Sequence, residues 1–219
     1  MPIKDKAFFC SWSGGKDSCL ALYLAVLKGG RPSCLLTMLT EGGDKSRSHG
    51  LPLQVLQNQA RALGIPLVVR SASWEEYTSV FAEVLREFKS RQIEHGVFGD
   101  IDIDDHLQWV KGVCKPIGIT PYHPLWRQHR KQLLTDFLQA GFKATIVVVQ
   151  GDKLDKSFLG RELDVAVLDE IEAQGADAAG ENGEYHTVVT DGPLFSAPLS
   201  LRFGEPFEED GYWFINILD

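Results

Sequence analysis

The chain has 219 residues, 44% of them hydrophobic and 24% charged, with a formal net charge of −8. That length holds one α/β unit with an appendage or two small domains, and no apolar run reaches the roughly 18–20 residues of a membrane span. The acidic balance argues against tight non-specific nucleic-acid binding, which draws on basic surface; the one dense basic cluster, Arg127, His129, Arg130 and Lys131, is a single helical turn long.

The short charged start leads straight into a strand and does not read as a signal peptide. Cys10, Cys19, Cys34 and Cys114 form no Cys-x-x-Cys pair and read as small buried hydrophobes of a reducing cytosol. A cytoplasmic location is the expectation.

In chain order, a first strand is predicted over residues 7–12, then a glycine turn and a helix over 17–28 stopped by Gly29-Gly30-Arg31-Pro32. A second strand over 34–39 is followed by a polar loop over 40–50. A helix over 52–63 stops at Gly64, and a third strand covers 66–70. Ser73 is placed as the cap of a helix beginning near Trp74. A fourth strand over 95–98 ends at Gly99-Asp100, and Asp104-Asp105 open a helix whose dipole favours them. A Val-rich run over 144–149 reads as another strand. Alternating β and α elements imply a doubly wound parallel sheet, whose ligands lie beyond the carboxyl ends of its strands. Gly151-Asp152, after the Val run, are placed there with the other strand ends. After residue 173 the pattern changes to a Gly-rich acidic loop and short strands over 185–189, 199–203 and 212–217, read as a small antiparallel appendage. The expected division is 1–123 and 124–219.

The turn after the first strand reads Ser11-Trp12-Ser13-Gly14-Gly15-Lys16-Asp17-Ser18. Adjacent glycines let the backbone approach a ligand closely. The helix start presents N–H groups and a dipole that favours an anion. Ser13 and Ser18 add hydroxyls and Lys16 a positive charge, so the expected guest is a phosphate. The spacing is neither a Walker A loop nor a dinucleotide fingerprint. Asp17 beside phosphate calls for an intervening cation, which makes it a candidate Mg²⁺ partner.

A second motif, Gly180-Glu181-Asn182-Gly183-Glu184-Tyr185-His186-Thr187, is followed by Asp191-Gly192-Pro193. Its residues suit binding a cation, positioning a polar substrate, or moving protons near neutral pH.

The first loop resembles the PP-loop of the ATP pyrophosphatases, which cleave ATP between its α and β phosphates. Together the two motifs resemble the diphthine–ammonia ligase family within that group, in its bacterial-type branch. The resemblance implies a HUP-type parallel sheet with a C-terminal α+β substrate-binding lobe. It also implies a ligase that adenylates a carboxylate, releases pyrophosphate and transfers ammonia. ATP and Mg²⁺ are the implied cofactors. Ser11, Ser13, Gly14, Gly15, Lys16, Asp17 and Ser18 would cradle the nucleotide, with Leu39 at the adenine edge and Gly99 beside it. Lys16, Asp17, Glu181, Glu184 and His186 are the candidate catalytic residues. Arg47, His49, Asp100, Asp102, Asn182, Gly183, Glu184, Tyr185 and Thr187 are the candidate substrate residues, and the acidic loop beside Tyr185 suits a cationic substrate.

The implied partners are a small-molecule or modified-histidine carboxylate and ammonia, with a homodimer as the implied assembly. A translation elongation factor joins them if the acceptor is diphthine. The segment after the fourth strand, Gly99-Asp100-Ile101-Asp102, looks like the bacterial branch and leaves the acceptor open. Two rivals remain: a PP-loop enzyme acting on another small molecule or on tRNA, and a non-catalytic ATP- or AMP-binding protein.

Overall fold

In the computed structural model, which describes residues 2–47 and 49–218, five parallel strands build the first sheet. They are β1 (Ala7–Ser11), β2 (Arg31–Leu39), β3 (Leu67–Ser71), β4 (His95–Val97) and β5 (Thr120–Tyr122), in the order β3-β2-β1-β4-β5. The helices between them are α1 (Lys16–Leu27), α2 (Leu53–Leu63), α3 (Tyr77–Ser90) and α4 (Asp104–Cys114). This is the doubly wound parallel arrangement that the alternation predicts. Phe8, Phe9 and Cys10 on β1 are fully buried, as a strand covered on both faces requires. The chain reverses its strand order at β1, so a crevice opens beyond the ends of β1 and β4.

A second sheet is antiparallel, in the order β7-β6-β9-β8. It contains β6 (Lys143–Gln150), β7 (Tyr185–Asp191), β8 (Arg202–Glu209) and β9 (Tyr212–Leu218), with α5 (Arg130–Gln139) before β6 and α6 (Val165–Ala173) before β7. The two sheets share one core. Ile146, Val148, Val188 and Val189 belong to the same apolar cluster as Phe8, Cys10, Leu22 and Leu35. A separate cluster on the other face of the parallel sheet gathers Phe9, Leu36, Phe81, Phe88 and Val110.

Several expectations are corrected. The Val-rich run is β6 and lies in the antiparallel sheet, so Gly151 and Asp152 are not at the crevice; Gly151 N–H instead donates to the Gly211 carbonyl at 2.9 Å. Ser73 does accept the Glu76 N–H at 3.2 Å, but the regular helix begins only at Tyr77. The strand expected over 199–203 runs from Arg202 to Glu209 and carries Pro206, which an edge strand tolerates. All four cysteines are buried and free. Among the described residues, no helix is long and apolar enough to cross a membrane.

Candidate active site

The turn between β1 and α1 is held by its own hydroxyls. Gly15 N–H donates to Ser13 Oγ at 3.3 Å, Ser18 Oγ donates to the Gly15 carbonyl at 3.0 Å, and the Ser13 and Ser18 hydroxyls lie 3.1 Å apart. The Lys16 N–H donates to the Thr187 hydroxyl at 3.1 Å. Two donors expected to face an anion are thus met by hydroxyls. Lys16 is 6% exposed, and its ammonium lies 2.8 Å from Asp17 Oδ2 and 5.6 Å from the centre of the Tyr185 ring. Burial alone would depress the Lys16 ammonium, but Asp17, Tyr185 and Glu181 outweigh it and hold its proton affinity above the usual range.

Gly14 adopts φ +82°, where a side chain would be strained, and a Cβ there would meet Gln59 Oε1 at 2.7 Å. A Cβ on Gly15 would meet His49 Nε2 at 2.5 Å and the Thr187 carbonyl at 3.0 Å. Gln59, fully buried on α2, braces the turn. It accepts from Trp12 Nε1 at 3.0 Å and donates to the Gly14 and Val189 carbonyls, each at 2.8 Å. It was not anticipated from the sequence. Its signal is a polar residue on the face of α2 that also buries Val55, Leu56 and Ala60.

The second motif comes to the turn through Thr187, at 1% exposure, and through the half-buried His186, which meets the half-buried His49 there. The His49 and His186 rings lie 4.6 Å apart. Burial, then the Lys16 charge, pushes His186 down to about 4; burial, His186 and Lys16 likewise depress His49. Burial and the Asp17 charge lift the Glu181 carboxyl to about 7. Glu181 therefore retains its proton far better than an ordinary carboxylate.

Glu184 has a different place from the one expected. Its carboxylate, 4% exposed, turns into its own loop and accepts from Asn182 N at 2.9 Å, Asn182 Nδ2 at 3.0 Å and Asp177 N at 3.4 Å. Burial would raise this carboxyl, but those donors lower it. The Tyr185 hydroxyl donates to the Ala178 carbonyl at 2.5 Å. Asp102 is likewise turned away: it accepts a bidentate pair from Arg130 at 2.6 and 2.8 Å, and Arg130 also binds Asp177.

A cavity of about 980 Å³ lies where these parts meet. From the first turn, Ser11, Ser13, Lys16, Asp17 and Ser18 line it; from the loop after β2, Arg47 and His49; from the end of β4, Gly99 and Asp100. Glu181, Asn182, Gly183, Tyr185, His186 and Thr187 line it from the second motif. Gly14, Gly15, Asp102 and Glu184 support the walls without lining them. Leu39 is buried, paired with Ser71 and bridged to Ser46, and also stands outside the lining.

The far end of the cavity is aromatic, a feature absent from the sequence reading. Trp74, Tyr77, Phe81, Phe98 and Trp109 form it. The Arg47 guanidinium sits 4.5 Å over the Trp74 ring and donates to the Ala72 carbonyl, while its buried Nε has no hydrogen-bond partner. Trp74, Tyr77 and Phe81 follow helical spacing in sequence, which is the one signal of this wall. Among the described residues, no group of three or more His, Cys, Asp or Glu is arranged to hold a metal ion.

Comparison with known proteins matches both halves of the chain. Residues 7–121 match a model described as the diphthamide synthase N-terminal domain, and residues 129–217 one described as the C-terminal domain. The mouse diphthine–ammonia ligase is 27% identical over 219 residues, covering 88% of this chain and 82% of that protein. The zebrafish enzyme of the same name is 29% identical over 217 residues, covering 86% and 84%. Among solved structures, a predicted subunit of tRNA methyltransferase from Methanocaldococcus jannaschii superimposes with a TM-score of 0.46 at 18% identity, covering 84% of this chain and 96% of that one.

Proposed function

On the premise that this chain belongs to the diphthamide synthase family, we propose that it activates the carboxylate of a modified histidine with ATP and converts it to an amide with ammonia. The observation that carries this reading is the Lys16–Thr187 hydrogen bond, which sets the phosphate-type turn and the Glu181 loop on one cavity.

A carboxylate is a poor acyl donor because oxide is its leaving group. Its attack on the α-phosphorus of ATP gives an acyl adenylate and frees pyrophosphate. The Lys16 ammonium and the Ser13 and Ser18 hydroxyls would meet the charge that builds on the leaving group. The Gly15 N–H, now met by the Ser13 hydroxyl, is the donor a phosphate oxygen would take, while the Lys16 N–H stays bonded to Thr187. Asp17, on the cavity wall beside the phosphate-type turn, would be the carboxylate that holds Mg²⁺ together with substrate phosphates. When bound, the ion supplies charge neutralisation on the phosphates.

Ammonia then attacks the acyl carbon and AMP leaves. Glu181 and Asp100, both on the cavity wall, would draw ammonium in. The acceptor partner in this reading is a diphthine-bearing elongation factor. The name borne by the mouse and zebrafish relatives supports diphthine as the acceptor.

The test is product analysis with a diphthine-bearing protein, ATP, Mg²⁺ and ammonium. AMP and pyrophosphate are expected in equal amounts. ADP and phosphate alone would exclude adenylation. The Asp17→Asn variant is expected to lose turnover by about a hundredfold or more.

A further inference from the structure

We propose that His106, oriented by Asp100, is the base that removes protons from the nitrogen nucleophile in the amide-forming step. This assignment rests on the reading above and adds a residue to it.

His106 lies in the first turn of α4 and lines the cavity together with Asp100 and Glu181. Its Nδ1 faces Asp100 Oδ1 at 3.5 Å. On the other oxygen, Asp100 Oδ2 faces His123 Nε2 at 3.4 Å. The His123 side chain is 7% exposed and stacks on Phe98, with ring centres 5.3 Å apart, so the anchor behind Asp100 is packed in place. The His106 side chain is 61% exposed. One carboxylate thus lies between a buried imidazole, whose Nε2 makes no hydrogen bond, and an open one.

The chemistry follows from that asymmetry. A carboxylate facing Nδ1 favours the tautomer with its proton there and a free lone pair on Nε2, and it stabilises the imidazolium formed when Nε2 takes a proton. Burial pushes the Asp100 carboxyl up, but the two imidazoles outweigh it and hold it at about 2, so Asp100 remains a fixed anion. Asp100 first, with Glu181 and Asp105 adding to it, raises the proton affinity of His106.

Ammonium has no lone pair and cannot attack. His106 Nε2 takes one proton from it, giving ammonia. The nitrogen lone pair forms the new C–N bond at the acyl carbon, and the C–O bond to the phosphate breaks with its electron pair leaving on AMP. His106 gives its first proton to water through its exposed edge and accepts the second from the nitrogen, leaving the neutral amide.

Hydroxylamine separates this role from the others, because it is already unprotonated at neutral pH and attacks acyl adenylates directly. The full-length chain, with ATP and a diphthine-bearing acceptor, is assayed with ammonium or with hydroxylamine as the nucleophile. In His106→Gln, the ratio of the ammonium rate to the hydroxylamine rate is expected to fall about a hundredfold. His123→Asn tests the anchor and is expected to lower the same ratio by a smaller factor. An unchanged ratio in His106→Gln overturns the assignment, whether both rates fall together or neither moves. A wild-type chain that forms no hydroxamate overturns the adenylation reading itself, and this assignment with it.

Discussion

The backbone N–H of Lys16 donates to the side-chain hydroxyl of Thr187 across 171 positions of sequence, at 3.1 Å. Each residue belongs to a different sheet's framework: Lys16 starts the helix after β1, and Thr187 lies on β7. The bond fixes the phosphate-type turn against the second motif.

Thr187→Val keeps the shape of the side chain and removes the acceptor. The buried Lys16 N–H is then unpaired, and the expected loss of stability is about 1–2 kcal/mol. Urea unfolding with an unchanged m-value is the measurement. Apparent ATP affinity is expected to fall alongside it.

Gly15→Ala places a methyl group 2.5 Å from His49 Nε2 and 3.0 Å from the Thr187 carbonyl. Backbone strain is not the cause, because Gly15 has φ −95° and ψ 179°. The overpacking is expected to cost about 1–3 kcal/mol and to weaken ATP binding about tenfold. Adding His49→Ala removes the nearer clash and should recover part of both losses in calorimetry and thermal melts. A double variant no better than Gly15→Ala would put the steric block on Thr187 alone.

Glu181 gives stability a pH dependence of definite sign. Its carboxyl titrates near 4.5 when unperturbed and near 7 in the folded chain. Between those values the native state holds more protons than the unfolded state, so this group's contribution to stability falls as pH rises. Glu181→Gln removes that slope. The stability of the variant minus that of the wild type should therefore grow by about 2–3 kcal/mol from pH 4.5 to pH 7. The difference is the quantity to follow, because His186, depressed to about 4 from 6.5, gives the wild type an opposite slope over much of the same range.

Arg130→Met breaks the bridge from α5 to Asp102 and Asp177 at once. The loop carrying Glu181 and Glu184 is expected to open more readily, with amide exchange over residues 177–184 faster by about tenfold, as loss of roughly 1.4 kcal/mol would produce. Exchange rates in β1 and β2 should stay near wild type.

Local grammar made the first strand, its turn and α1 legible: an apolar run, paired glycines and a second apolar run of helical length lie next to one another. Asp104 and Asp105 announce the start of α4 in the same way. What sequence could not carry is partnership. A Val-rich run looks alike in a parallel or an antiparallel sheet, which is why β6 was placed in the wrong one. Thr120–Tyr122 is too short to show a period, so β5 went unread. Glu184 illustrates the limit at the site. Composition places a carboxylate in the motif, but only the fold shows it turned inward onto Asn182 and Asp177. The aromatic wall draws Phe98, Trp74 and Trp109 from three separate segments, and no window of sequence contains it.

Gln59 grips the carbonyls of Gly14 and Val189 with one amide nitrogen, and the apolar cluster runs unbroken from β1 to β7. The two halves named by the family models are therefore not separable parts. A gene split near residue 123 would leave α1 with an uncovered apolar flank and the Lys16 N–H without Thr187. The turn after β1 and the loop of the second motif therefore depend on one shared core for their positions.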